Sequence, residues 1–219
     1  MTGSGPNIGG NMSVSEERTA VPAATAASPI ADPAPLGLAA FALTTFLLSA
    51  ANAHWMNGNA TGDAWLGYAF AYGGLAQLLA GMWEFRNRNV FGATAFSSYG
   101  AFWIGLGIWA IKVAPGAPAT TAFATHDIAW ILLAFAVFNT YMLLFSAQVN
   151  MAVFGVFLTL ELTEIILAIG FFTNSPGTVQ FGGYVGLVTA LVAWYTSAAG
   201  VSNGLAGRIR LPVGKPLLA

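Results

Sequence analysis

Residues 151–172 read MAVFGVFLTLELTEIILAIGFF and contain two glutamates but no lysine or arginine. A helix needs about 20 predominantly apolar residues to cross about 30 Å of hydrocarbon, and this stretch has that length. Its apolar residues form one continuous run rather than the alternating pattern of about ten residues that a membrane β-strand shows. The stretch therefore predicts a transmembrane helix.

Five more stretches of similar length and character surround it, and short connections with glycine and proline separate them. They lie at 36–53, 64–83, 90–111, 127–147 and 179–200. The sequence therefore predicts an all-α membrane protein built as a six-transmembrane-helix bundle.

Composition excludes several other classes of protein. Hydrophobic residues make up 57% of the chain and charged residues 7%, whereas soluble domains carry about 25% charged residues. A formal net charge of −1 gives no basic surface for nucleic acid. The chain has no cysteine and two histidines, so we expect no metal site and no cofactor. No nucleophile–base or metal constellation is visible, which argues against an enzyme.

The two ends of the chain differ from its middle. Residues 1–35 are rich in Gly, Ser, Thr, Ala and Pro, which predicts a disordered tail. The six-helix membrane domain is predicted at 36–204, and 205–219 form a short C-terminal tail. With the N-terminus inside, six of the seven basic residues face the cytoplasm and Lys112 alone faces out. The positive-inside rule therefore places both termini in the cytoplasm.

Glu161 and Glu164 are the most prominent polar residues within the spans. They lie three residues apart near the middle of the fifth span, where a charged side chain is costly. Burial and mutual repulsion both favour the protonated form of one carboxyl, which suits proton coupling to an anionic solute. The alternative is a structural pair that is hydrogen-bonded to another helix or to a neighbouring subunit.

The second span carries Gln77 and Glu84 on one helix face. Gln77 lies in the middle of the span and can present donors and an acceptor to a solute. Glu84 lies at the cytoplasmic edge beside Arg86 and Arg88, which favours a solvated surface pair. Passage of a solute is the activity that such a small polar interior fits best.

Several short motifs occur in the same order as in one known family. They are DPAPLGL at 32–38, GGLAQ at 73–77, NVFGATAF at 89–96, SYGAFW at 98–103 and FLTL at 157–160. The chain thereby resembles the acetate uptake transporter family, also called the succinate–acetate permease family. Matches extend from about residue 32 to the end of the chain. Asp32 departs from the family pattern, which has Asn at this position.

The resemblance implies a homo-hexamer in the plasma membrane, with a separate pore in each protomer. It implies transport of acetate and related short carboxylates, together with protons. By motif position the central constriction falls on Phe41, Tyr99 and Leu160. The resemblance also makes the signature turn and the first-span threonines candidates for the solute path: Pro33, Pro35, Gly37, Leu38, Thr44 and Thr45.

The chemistry of these residues agrees with that expectation. Apolar Phe41 and Leu160 would obstruct hydrated ions, and Tyr99 could donate a hydrogen bond to a carboxylate. If Asp32 caps the first helix, its exchange for Asn is nearly neutral. If it faces the path of an anion, its charge should reduce affinity.

Three functions are consistent with these patterns. The first is a proton-linked acetate transporter. The second is a passive monocarboxylate or anion channel, and the third is a membrane sensor that binds carboxylates without moving them.

Overall fold

The computed structural model describes residues 1–3, 30–56, 64–112 and 122–218. Most of the tail predicted at 1–35 lies outside these residues. The described part contains helices and no strand. The elements are α1 (Ala34–Asn52), α2 (Ala64–Phe70), a π-helix (Ala71–Ala76), α3 (Gln77–Arg86), α4 (Val90–Lys112), α5 (Ala122–Ser146), α6 (Met151–Phe172) and α7 (Pro176–Ala206). The predicted all-α fold class is confirmed.

Five helices are long and apolar enough to cross a membrane, namely α1, α4, α5, α6 and α7. The crossing predicted at 64–83 is helical throughout, but it is divided into α2, the π-helix and α3, which follow one another without a break. Glycines allow close approach here, since a β-carbon at Gly73 would lie 2.5 Å from Thr44 Oγ1 of α1. A π-helical turn of this kind often marks a functional region. The count of six crossings stays a prediction.

Capping residues set the ends of the helices more accurately than hydropathy does. Asn150 caps α6 by accepting a hydrogen bond from Val153 N at 2.9 Å. Ser175 caps α7, and this helix ends at Ala206, directly before Gly207, whose φ of 59° is left-handed. Helix α7 therefore exceeds the predicted 179–200 at both ends. Helix α5 likewise begins at Ala122, five residues before Asp127, because helical hydrogen bonding continues past the apolar part.

The helices pack side by side in a ring. Helix α7 lies between α1 and α6, α5 packs against α6, and α3 packs against α4. The π-helix contacts both α1 and α4 and so closes the second half of the ring. Contact between α4 and α5 is slight. The side chains around the interior space come mainly from α1, α4 and α6.

The C-terminal segment packs back onto one end of the bundle instead of extending away as a free tail. Its backbone bonds the α5–α6 turn, with Leu217 N donating to Ala147 O at 2.7 Å and Ala152 N donating to Val213 O at 2.9 Å. Exposed basic residues collect at this end and at the α3–α4 turn: Arg86, Arg88, Arg208, Arg210 and Lys215.

Helices α1 and α7 approach so closely that Gly183 has no room for a side chain. A β-carbon there would strike the backbone nitrogen of Ala53 and lie 2.8 Å from Asn52 C. Because both are backbone atoms, Gly183→Ala should separate the helices and cost about 1–3 kcal/mol, the usual range for overpacking. The measurement is the Tm of the detergent-purified protein.

Gly204→Ala is the matched control, since nothing lies within 4 Å of a β-carbon at this position of the same helix. Alanine favours a helix over glycine by about 1 kcal/mol, so we expect an unchanged or higher Tm. A Gly183→Ala protein with the Tm of the control would contradict the α1–α7 packing.

Candidate functional site

Two small cavities lie in the interior, and the same three side chains line both of them. The first has a volume of about 40 Å³ and the second about 20 Å³. The shared residues are Phe41 of α1, Tyr99 of α4 and Leu160 of α6. They are 4%, 3% and 6% exposed, respectively, and the rings of Phe41 and Tyr99 pack edge to face at 5.9 Å. The structure thus brings the three predicted residues together between the cavities.

Aromatic rings fix the position of Tyr99. Phe102 lies at 6.2 Å from its ring centroid, Phe135 at 5.6 Å and Phe138 at 5.5 Å. Offset and edge-to-face ring pairs at such distances are favourable. With rings on several sides, the hydroxyl group is the part of Tyr99 that is left for polar contacts.

The Tyr99 hydroxyl belongs to a chain of hydrogen bonds that crosses from α4 to α6. Tyr99 Oη lies 2.9 Å from Asn139 Oδ1 and 3.4 Å from Glu164 Oε1. Asn139 Nδ2 donates to Phe157 O at 2.9 Å and to Glu161 Oε2 at 2.6 Å. The two glutamates of α6 are therefore joined through Tyr99 and Asn139.

The glutamates point in different directions although they are only three residues apart. Glu164 is 3% exposed and lines the first cavity, where its Oε2 has no hydrogen-bond partner. Glu161 is partly exposed, and both its oxygens accept hydrogen bonds, one of them from Thr140 Oγ1 at 2.8 Å. Both glutamates have hydrogen-bond partners on other helices, as the structural alternative expects, and Glu164 in addition faces the interior space. Their role in proton coupling stays a prediction.

Further polar atoms without partners lie at the cavities. Thr45 Oγ1 and Trp103 Nε1 belong to residues that line the first cavity, and Gln77 Oε1 belongs to a residue of the second. Buried polar groups are normally paired with protein or ordered water. The larger cavity has room for a few water molecules at about 10–15 Å³ each. These atoms are therefore available to water or to a small polar solute.

The first part of the signature turn, with Pro33, Pro35 and Gly37, positions α1 without lining either cavity. Pro33 precedes the first turn of α1, and Pro35 O accepts a hydrogen bond from Ser197 Oγ of α7 at 2.6 Å. Gly37 packs on the Phe96 ring, which would lie 2.6 Å from a β-carbon there. Of the first-helix candidates, Leu38 and Thr45 line a cavity. Thr44 instead donates to Ala40 O at 3.1 Å and packs on Gly73.

Two acidic residues near the start of α1 have structural partners. Asp32 Oδ1 accepts from Ala34 N at 3.0 Å, so its side chain binds the helix start as the capping interpretation expects, although Pro33 occupies the cap position. Glu84 was wrongly interpreted as a solvated surface pair. It is 0% exposed and accepts from Asn87 Nδ2 at 3.0 Å. The α3–α4 turn folds back over this carboxyl and shields it from solvent.

Sequence reasoning missed the site roles of Asn139 and Trp103. Asn139 is 0% exposed inside an apolar helix, and a polar residue in such a helix was the signal that it has a partner. Trp103 occurs in the SYGAFW motif, but nothing in the sequence indicated that its Nε1 has no partner. Within the described residues, His, Cys, Asp and Glu form no group of three that could hold a metal ion.

Apolar spanning helices around a narrow, partly polar interior define a multi-pass membrane protein. A sequence profile of the GPR1/FUN34/yaaH family matches residues 16–215. The chain therefore belongs to the GPR1/FUN34/yaaH family.

This chain is similar to several known proteins. Acetate permease A of Emericella nidulans is 39% identical over 199 residues, which are 84% of this chain and 65% of that protein. The chain thus spans slightly less than two thirds of that relative. The succinate-acetate/proton symporter SatP of Escherichia coli K12 is 35% identical over 186 residues, 85% of this chain and 96% of SatP. A solved structure of the bacterial acetate channel SatP is similar with a TM-score of 0.77 and 32% identity, over 84% of this chain and 99% of that one.

Proposed function

We propose that this protein moves acetate and related short carboxylates across the plasma membrane together with protons, and that it is not an enzyme. The observation that carries this proposal is the pair of cavities that share Phe41, Tyr99 and Leu160, with the carboxyl of Glu164 facing the larger one. The names of the relatives, an acetate permease and a succinate-acetate/proton symporter, support the same substrate class.

The first cavity has the chemistry to receive a carboxylate. The Thr45 hydroxyl and the Trp103 indole N–H are donors at this cavity, and neither atom has a partner. Carboxylate oxygens accept such hydrogen bonds, and the apolar residues of the wall suit the methyl group of acetate. In the second cavity, Gln77 Oε1 has no partner and can accept a hydrogen bond from a protonated solute or from water beyond the constriction.

Phe41, Tyr99 and Leu160 form the closed constriction in this proposal. The space on either side of them holds a few water molecules at most at about 10–15 Å³ each, so an acetate ion passes only when the three side chains move apart. Closure of a path by apolar side chains excludes hydrated ions while the solute is absent. The structure is therefore interpreted as a closed form.

Glu164 is the proton carrier of this proposal. A bare carboxylate in the cavity would repel an acetate anion, whereas a protonated Glu164 would admit it. The alternative is the passive channel, which the name of the solved acetate channel favours. Proton coupling distinguishes the transporter from the passive channel, because a channel needs no titrating side chain in the path.

The end of the bundle with the clustered basic residues is proposed to be cytoplasmic, in accordance with the positive-inside rule. Arg86, Arg88, Arg208, Arg210 and Lys215 all lie at that end and are exposed. Six membrane crossings place both ends of the chain on this side.

A homo-hexamer with a pore in each protomer is proposed as the assembly. Glu161 and Thr140 leave a polar edge partly exposed in the middle of α5 and α6, where contact with lipid would be costly and contact with another protomer would cover it. Native mass spectrometry of the purified protein should give six times the 22.7 kDa chain mass. A monomer mass under all detergent conditions would contradict the assembly.

Leu160→Ala should widen the constriction and relax selectivity by size. One methylene in an apolar pocket is worth roughly tenfold or more in discrimination. We therefore expect the uptake ratio of a three-carbon monocarboxylate to acetate to rise about tenfold. The measurement is competitive uptake of labelled acids into proteoliposomes.

Leu162→Ala is the control for this variant, because Leu162 lies on the same helix and is 47% exposed on its outer face. It should keep the selectivity of the wild type. An unchanged ratio in a well-folded Leu160→Ala protein would remove Leu160 from the path.

Glu164→Gln should abolish the pH dependence of acetate uptake. Glutamine keeps the size and the polar contacts of a protonated glutamic acid but cannot release a proton. Uptake by the wild type should rise as the external pH falls, and uptake by the variant should stay flat. Glu84→Gln, which alters a buried glutamate outside both cavities, should retain the pH dependence of the wild type.

If Glu164→Gln kept the complete pH profile of the wild type, Glu164 would not carry the proton. Uptake that follows only the acetate gradient and the membrane potential would favour the passive channel.

A further inference from the structure

Asn139 of α5 has one possible orientation in the hydrogen-bond chain. Its Nδ2 lies 2.9 Å from Phe157 O and 2.6 Å from Glu161 Oε2. A backbone carbonyl can only accept, so the amide nitrogen must face it. The opposite atom, Oδ1, therefore faces Tyr99 Oη at 2.9 Å and can only accept from it.

The single proton of the Tyr99 hydroxyl limits the hydrogen bonds that Tyr99 can donate. Its hydroxyl has one proton and two possible acceptors, Asn139 Oδ1 at 2.9 Å and Glu164 Oε1 at 3.4 Å. If Tyr99 donates to Asn139, Glu164 can pair with Tyr99 only by donating a proton of its own. Both neighbours are buried, at 0% and 3% exposure. An acceptor left without a donor there is costly, and more so when it is charged.

Only a few titratable groups surround the hydrogen-bond chain of Glu164, Tyr99 and Asn139 within the described residues. Glu161 lies on the same helix as Glu164, Tyr99 comes from α4, and Tyr141 is contributed by α5. Helices α1 and α7 contain no Asp, Glu, Lys, Arg or His. Glu161 lies within hydrogen-bond distance of Asn139 and Thr140 at its two oxygens, and the Thr140 hydroxyl also lies 2.9 Å from Ala136 O. Glu164 contacts the Tyr99 hydroxyl through Oε1, and its Oε2 has no partner. When Tyr99 donates to Asn139, the proton count at Tyr99 therefore assigns a proton to Glu164.

We propose that Asn139 is a positioning residue whose Oδ1 accepts the hydrogen bond of the Tyr99 hydroxyl and so directs the hydrogen bonds from Glu164 to Tyr99 to Asn139. This inference rests on the proposed function, since its effect is on the proton carrier at the constriction. With Glu164 protonated, every member of the chain has a partner. When Glu164 gives up its proton, Tyr99 must leave Asn139 in order to donate to the new carboxylate. Asn139 thereby opposes the loss of that proton.

Tyr99 then has a different role from the hydrogen-bond donor to a carboxylate that the sequence suggests. As long as its hydroxyl donates to Asn139, Tyr99 does not donate to a carboxylate at the constriction. The donors available to the solute are then Thr45 and Trp103 of the first cavity. Asn139 thus links the protonation of Glu164 to the donor that the constriction presents.

Asn139→Leu tests the proposal because leucine has a similar volume but cannot accept the Tyr99 proton. The freed hydroxyl then stabilises ionised Glu164. We expect the pH midpoint of acetate uptake to move about one unit toward acid, the size of a hydrogen bond to a charged group. A purely structural role would lower the maximal rate and leave the midpoint in place.

The same substitution in a Tyr99→Phe background shows whether Asn139 acts through the hydroxyl. We expect no further midpoint shift, because phenylalanine has no proton to redirect. Ser146→Ala is the matched control on α5: Ser146 is 0% exposed and bonds only Leu143 O of its own helix. It should keep the midpoint of the wild type. An unmoved midpoint in Asn139→Leu, or an equal shift without the hydroxyl, would overturn the proposal.

Infrared titration of the purified protein gives a readout that requires neither transport nor a stable Asn139 variant. The wild-type protein should show a buried carboxylic-acid carbonyl band at neutral pH that disappears in Glu164→Gln. Absence of this band would overturn the inference. Because the band is recorded without a gradient, its presence together with a lack of acetate uptake would reject the proposed function and leave the proton assignment standing.

Discussion

A polar group inside a bilayer must find its partner within the protein, since hydrocarbon offers none. This constraint organises the interior of the protein around the Tyr99 hydroxyl, which joins α4, α5 and α6 through Asn139 and Glu164. Aromatic rings surround the hydroxyl and leave it few alternatives. The position of Tyr99 against Phe41 and Leu160, and with it the division of the interior into two cavities, depends on these contacts.

The unpaired atoms are as informative as the paired ones. Thr45 Oγ1, Trp103 Nε1 and Glu164 Oε2 have no partner, and their residues all line the same cavity. Evolutionary relatives carry names of a proton symporter and of a channel. In the proposed mechanism a single side chain, Glu164, makes the difference between these two kinds of transport, because its carboxyl group faces the larger of the two cavities.

Hydropathy predicted the helices of this fold well, because each crossing of a bilayer demands a long apolar run. It did not predict the π-helix at Ala71–Ala76, where Gly73 packs closely against Thr44 of α1 and Gly74 against Ile104 of α4. Motif position placed Phe41, Tyr99 and Leu160 on three helices that the structure brings together. Spacing on one helix could not show that Glu161 and Glu164 take different partners, because the partners come from α4 and α5. The burial of Glu84 has a local cause, since Asn87 of the following turn donates to its carboxyl, but the charged residues of that turn indicated exposure instead.

The central claim is that a small carboxylate passes between Phe41, Tyr99 and Leu160, and thiol labelling tests it most directly. The chain contains no cysteine, so Leu160→Cys introduces a single thiol at the constriction, and Leu158→Cys places one on the outer face of the same helix, where Leu158 is 40% exposed. The account predicts that a small methanethiosulfonate reagent blocks acetate uptake at position 160, that acetate slows this reaction, and that labelling at 158 has no effect. Complete labelling at 160 with unchanged uptake would contradict it.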